Sequence, residues 1–259
     1  MESLDAPARV RKAKAAGFDG LETPVPVDPK EQRELRAVLD GTGMLLVAQE
    51  YTIGADPAAH ARSFEEQYRR AAELQPLLVN SQTGRDIFSL EQNLEIFSTA
   101  ARLEKELGVP VSHEMHRTRA TFSTLSTMAL IDAVPDVRLT ADFSHWCCVH
   151  ESLLEDQAES MKRAIAHAFH IHARVGQAES PQVTDPRAPE WGKEVNAHVQ
   201  WWQSIVDART AKGAEILTIC PEFGTPNYMA TLPGTGTPVA DQWTINVYMK
   251  DFLRGRLVL

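Results

Sequence analysis

An α/β fold is what this sequence predicts, on three observations. Helical and strand-like patterns alternate along the chain with short spacers. The strand-like stretches are brief apolar runs bounded by Gly, Pro or Asp, while the helical stretches are longer and amphipathic. The alternation gives about eight helices and seven strands in 259 residues, with no internal repeat beyond the β/α unit and no low-complexity segment.

Each element has a local reason. MESLDAPARVRKAKAAG is charged and helical in pattern, without the apolar core of a signal peptide. GFDGLETPV is a short strand. DPKEQRELRAVLDGTG is a helix with Asp28 and Pro29 as start signals and Gly41 as its stop. MLLVAQEYTIG is a strand, and DPAAHARSFEEQYRRAAELQ a long amphipathic helix. PLLVNSQTG is a strand, and SLEQNLEIFSTAARLEKELG a helix ended by Gly108. VPVSHEMH and VRLTADFSH are strands separated by the helix TFSTLSTMALIDAV, and a further helix starts near Leu153. AFHIHARV is a strand followed by a helix around HVQWWQSIVDARTAKG. AEILTICPEFG is the last strand, and DQWTINVYMKDFLRGR closes the chain.

Eight β/α units over roughly 250 residues is the size of a TIM (β/α)8 barrel. A doubly wound sheet is the alternative, but no glycine-rich GxGxxG follows the first strand. The barrel reading leaves one strand short, so the first strand is expected to be missing or truncated at the N-terminus. Residues 1–259 are expected to form a single barrel domain. The stretch TLPGTGTP, Thr231 to Pro238, follows the last strand and reads as an active-site loop.

Composition excludes several classes. Lys and Arg total 26 against 35 Asp and Glu, a formal charge of −9 that repels phosphate backbones. Nucleic acid is therefore not the expected partner. No apolar run approaches the roughly 20 residues of a membrane span. Cys147, Cys148 and Cys220 form no CxxC pair and no even framework, so they read as reduced thiols in a cytoplasmic protein.

The polar residues at the strand ends carry the functional signal. Barrel strands alternate inward and outward side chains, and chemistry collects at their C-terminal ends. VPVSHEMH puts Glu114 and His116 on one face, with His113 and Met115 on the other. VRLTADFSH ends in Asp142, with His145 three residues on in the following loop. In HAFHIHARV, His170, His172 and Arg174 share a face, His172 lying nearer the mouth. EILTICPEFG puts Thr218, Cys220 and Glu222 on one face, Glu222 last.

Four consecutive strands thus end in a potential metal ligand: Glu114, Asp142, His172 and Glu222. Singly, such a carboxylate is more often a cap or an ion-pair partner, and such a histidine a core residue. The ordered recurrence shifts the reading. Three carboxylates crowded together repel one another unless a cation holds them. With one imidazole they suit Mn2+, Co2+, Mg2+ or Zn2+.

GFDGLE, SHEMHR, DFSHW, HIHARVG and PEFG, in this order, resemble the xylose isomerase-like TIM-barrel superfamily. That is the sugar phosphate isomerase/epimerase group, which includes D-tagatose 3-epimerase. The resemblance covers nearly the whole chain and is specific for the superfamily rather than for one substrate. It implies one divalent ion, commonly Mn2+, held by Glu114, Asp142, His172 and Glu222. It implies that Glu114 and Glu222 are the acid/base pair on opposite faces of a sugar-like substrate. His145 matches the family's contact to a substrate oxygen. Arg174 is the candidate for its basic substrate contact, and His116 can also reach substrate. Homo-oligomerisation follows by analogy alone.

The implied reaction is isomerisation or epimerisation through an enediolate. The same intermediate can lead to a lyase, a dehydratase or cleavage of a keto-glycoside. A metal-dependent hydrolase would need extra histidines on earlier strands and an Asp-x-His after His172, which are missing. A non-catalytic binding subunit would not require two opposed carboxylates. Two features depart from the family pattern. HARVGQAESPQVTDPRAPEW is a long loop carrying Glu179 and Gln182, where many relatives have a short H-x-K-D ending. Trp146 beside His145 either stacks on a sugar face or packs beneath the loop. No phosphate-cradling Gly-rich loop is evident, which favours a non-phosphorylated substrate.

Overall fold

A computed structural model of the protein describes residues 4–258. The helices are α1 (Ala6–Ala15), α2 (Pro29–Thr42), α3 (Pro57–Ala72), α4 (Leu90–Leu107), α5 (Thr124–Ala133), α6 (Phe143–Val149), α7 (Ala158–Ala166), α8 (Gly192–Ala211) and α9 (Gln242–Arg256). The strands are β1 (Gly20–Pro24), β2 (Leu45–Tyr51), β3 (Leu78–Gln82), β4 (Val111–Glu114), β5 (Leu139–Ala141), β6 (Ala168–His172) and β7 (Thr218–Cys220). These are the elements of a TIM barrel with seven parallel strands, one fewer than eight. Among the described residues the first element is α1, and β1 follows it.

The chain packs as two compact units, one ending at His113 and the other beginning at Glu114. In the first, β1, β2, β3 and β4 run in chain order with unbroken parallel register, from Gly20 opposite Leu45 to Ser81 opposite His113. Leu46 and Ala48 of β2 and Val79 of β3 face a core with Leu35 and Leu39 of α2, Phe64 and Tyr68 of α3, and Ile96 and Leu103 of α4. Burying each of the large side chains contributes roughly 1.5–3 kcal/mol. The opposite strand face is polar: Glu22 accepts from Gln49 at 3.0 Å and from Asn80 at 2.9 Å.

The caps explain most helix starts. The Asp28, Asp56 and Asp241 side chains accept backbone N–H groups of the first turns of α2, α3 and α9. Ser89 and Gln92 form a capping box on α4, and Gly108 ends it with φ +72°. The helix α2 does not stop at Gly41. It continues to Thr42, and Gly43 ends it with φ +64°, because Gly43 is the residue that adopts the left-handed cap.

In the second unit, β5, β6 and β7 pair in parallel, with His170 beside Thr140 and Thr218 and His172 beside Cys220. Phe143, Trp146, Ile171, Trp202, Phe223 and Met249 are all buried there. Among the described residues no helix is long and apolar enough to cross a membrane.

Candidate functional site

The candidate site is built from the second unit alone. Glu114 is the last residue of β4, and its segment is fixed by Met115, whose N–H donates to the Thr140 carbonyl at 3.1 Å. The Glu114 carbonyl accepts the Thr121 hydroxyl, and Trp146 Nε1 donates to the Thr121 carbonyl at 3.0 Å. Trp146 is therefore not a stacking platform. It is fully buried against Phe143 and braces the turn that carries Glu114.

Asp142 follows β5 and caps α6, a helix where the sequence suggested only a loop. Asp142 Oδ1 accepts the Ser144 N–H at 3.2 Å and also the Ser144 hydroxyl. The helix carries His145 into the interior, where it is fully buried. His172 ends β6, and its Nδ1 lies 2.8 Å from Glu222 Oε2 and 3.8 Å from Glu114 Oε1. Glu222 stands two residues beyond β7, which is shorter than the sequence suggested.

One ligand atom from each of Glu114, Asp142, His172 and Glu222 falls within 4.8 Å of all the others. Asp142, Glu114 and His172 are buried, and Glu222 keeps 27% of its side chain exposed. Burial pushes the Asp142 carboxyl above its ordinary range; Arg174 pulls it back and Glu222 raises it further. The donor set of three carboxylates and one imidazole therefore fits a divalent cation.

Arg174 lies inside the cluster rather than at its rim. It is 2% exposed, its Nη2 bonds Asp142 Oδ2, and the same nitrogen is 3.5 Å from Glu222 Oε2. Its Nε donates to Ser144 Oγ at 3.2 Å and its Nη2 to His145 Nε2 at 2.8 Å. A guanidinium only donates, so His145 Nε2 accepts and the ring proton sits on Nδ1. That Nδ1 is buried without a hydrogen-bond partner. Burial, with Arg174 adding to it, drives the His145 pKa well below its ordinary value, so the ring is neutral.

His116 lies just past β4, with its ring 3.9 Å from that of His145. Its Nδ1 bonds the Arg117 carbonyl, so its Nε2 accepts, and the donor is the Tyr228 hydroxyl at 3.1 Å. Burial lowers the His116 pKa to about 4.

Tyr228 was not singled out by the sequence. Its ring lies 4.4 Å from the Arg174 guanidinium carbon. A Cβ on Gly224 would meet Tyr228 Cβ, Cδ2 and Cγ at 3.1, 3.2 and 3.3 Å, so a glycine in PEFG leaves room for that ring. The Gly/Pro-rich stretch after it stays exposed and closes as a Thr231–Pro238 bridge. Gln182 from the long loop clamps the Gly224 backbone, accepting its N–H at 2.7 Å and donating to its carbonyl at 3.3 Å. Asn246 and Gln242 hold the neighbouring Phe223 backbone from α9.

His170, His167 and His198 are each held by a hydrogen bond to a neighbouring segment. His170 Nδ1 bonds Thr218 Oγ1 at 2.7 Å, one layer below His172. His167 Nδ1 bonds the Val137 carbonyl at 2.9 Å. His198 Nε2 accepts the Gly176 N–H at 3.2 Å and steadies the loop after β6.

The family model for a xylose isomerase-like TIM barrel matches residues 10–208. The chain belongs to this family. Its solved structural relatives include the 3-keto-D-glucoside 4-epimerase of E. coli, at TM-score 0.60 and 14% identity over 97% of this chain and 94% of the other. A xylose isomerase-like TIM barrel protein of Mycobacterium smegmatis, solved with magnesium, aligns at TM-score 0.65 and 14% identity over 97% and 89%. The probable 3-DHS dehydratase of petrobactin synthesis in Bacillus anthracis aligns at TM-score 0.63 and 15% identity over 96% and 93%. At these identities the likeness is one of fold. Comparison with curated protein sequences gives no significant match.

Proposed function

We propose that the protein is a divalent-metal-dependent isomerase or epimerase acting on a sugar-like ketone or polyol. The observation that carries this reading is the convergence of Glu114, Asp142, His172 and Glu222 within 4.8 Å. Those four residues would hold the ion, with Mn2+ as first choice and Co2+, Mg2+ or Zn2+ as alternatives. When bound, the ion supplies Lewis-acid polarisation of a carbonyl and its neighbouring hydroxyl.

The chain's own residues do the rest. One of the pair Glu114 and Glu222 takes the proton from the carbon beside the carbonyl, and the other returns one. The buried Nδ1–H of His145 donates to a substrate oxygen, which gives that donor a partner. Tyr228 and His116 bound the same space through their mutual hydrogen bond. The three free cysteines fit a reducing, cytoplasmic setting.

The test is proton exchange in D2O. Metal-loaded protein is incubated with a panel of unphosphorylated keto-sugars and followed by NMR. Deuterium should enter at the carbon beside the carbonyl, and Glu114→Gln should slow entry by about 10²- to 10⁴-fold. Metal-loaded protein that exchanges no keto-sugar proton in the panel would count against the reading.

A further inference from the structure

The buried charge of Arg174 has a consequence for which cation the site takes. Ionised around a cation, Glu114, Asp142 and Glu222 carry three negative charges, while His145 and His116 act as neutral imidazoles in their hydrogen bonds to Arg174 and Tyr228. Arg174 adds one positive charge that cannot be removed by deprotonation. A divalent ion then brings the set to zero. Without Arg174 the same carboxylates reach zero only with a trivalent ion. Net charge on largely buried groups is costly, and Glu114, Asp142 and Arg174 are buried, so this balance matters more here than at a surface.

The arginine is held as though its position were specified. Ser144 Oγ receives Nε at 3.2 Å, His145 Nε2 receives Nη2 at 2.8 Å, and Asp142 receives Nη2 as well. The Tyr228 ring covers the guanidinium at 4.4 Å, seated on Gly224. A mobile substrate-gripping arginine would not need bonds from three directions and an aromatic cover. Resting on the metal-site reading above, we infer that Arg174 is a fixed internal countercharge that sets preference for divalent over trivalent cations.

The experiment measures binding, not turnover. Chelator-stripped wild type, Arg174→Gln and Arg174→Lys are titrated with Mn2+ by calorimetry and with Tb3+ by luminescence, and the ratio of the two dissociation constants is compared. Arg174→Gln should shift that ratio toward Tb3+ by at least about tenfold, from one unit charge acting at short range in an effective dielectric near 20–40. Arg174→Lys, which keeps the charge, should leave the ratio unchanged from wild type. A Gln variant that binds Mn2+ with an unchanged ratio overturns the inference and leaves the metal site standing. Wild type that binds neither ion overturns the metal site itself. Should Arg174→Gln not fold, Tyr228→Leu takes its place. Water reaching the uncovered guanidinium screens its charge, so the ratio should move the same way by about two- to threefold, and an unchanged ratio again overturns the inference.

Discussion

Glu50 and Asp142 are both acids buried on a strand or at its end, one in each unit, and their surroundings differ in kind. Glu50 sits on the helix-facing side of β2, in line with Leu46 and Ala48. Burial raises its pKa to about 8, and Ser81 and the charge of Arg70 only partly offset that. Asp142 is equally buried but accepts two bonds from Ser144 and pairs with Arg174. Glu50 solves its burial by keeping a proton. Asp142 stands in a set of donors and charges that fits a cation. The contrast shows that a buried carboxylate alone is no sign of a site; the company of a second, third and fourth ligand is what distinguishes one.

The largest expected effect breaks the Asp142 side of this contrast. Asp142→Asn should weaken Mn2+ binding by more than the roughly 10–100-fold that loss of a supporting contact costs. Calorimetric titration of stripped protein checks it. A variant that binds as tightly as wild type would remove Asp142 from the ligand set.

Glu50 gives the next effect, and it is one of pH. Its folded pKa of about 8 lies above the ordinary 4.5, so the folded protein holds a proton that the unfolded chain releases. Stability from this group is therefore full below about 4.5 and is lost as pH rises to about 8. The total is on the order of 5 kcal/mol. Glu50→Gln should melt above wild type at pH 9, and the gap should shrink toward pH 5. Equal pH profiles for the two proteins would show that Glu50 is charged when folded.

Gly176 tests the frame around Asp142. A Cβ there would lie 2.7 Å from Ser144 Cα and O, with no flexible tip to move aside. Gly176→Ala should cost about 1–3 kcal/mol of stability, read by denaturant unfolding, and should loosen Mn2+ binding through Ser144. The smallest effect is expected at Gln182→Ala. It removes the clamp on Gly224 and should weaken Mn2+ binding by about tenfold or less. A loss as large as that of Asp142→Asn would mean the clamp does more than hold a turn.

Much of this was legible in the sequence because it depends on local rules. Asp28 and Gly108 act as the caps their positions suggested. The period of two put His113 on the helix-facing side, beside Phe97 and Thr83, and left Glu114 on the other face. What was not legible depends on chain segments far apart. The helix α6 spans only seven residues and has no turn-by-turn apolar period to reveal it. Trp146 next to a histidine reads equally as cover or brace until its Nε1 finds Thr121. Tyr228 lies beside an exposed, glycine-rich stretch that gives no sign of a site residue. Arg174 was expected to contact substrate, and the sequence gives no sign of its bonds to Ser144, His145 and Asp142, which depend on segments far apart in the chain.

Whether Glu114, Asp142, His172 and Glu222 hold one divalent ion is read directly as metal per chain. Protein purified without chelator, then equilibrated with Mn2+ and dialysed, is analysed by elemental mass spectrometry beside Glu222→Gln. Wild type should retain about one ion per chain, with a clear loss in the variant. No retained ion in wild type, or equal retention in both proteins, would contradict the four-residue site.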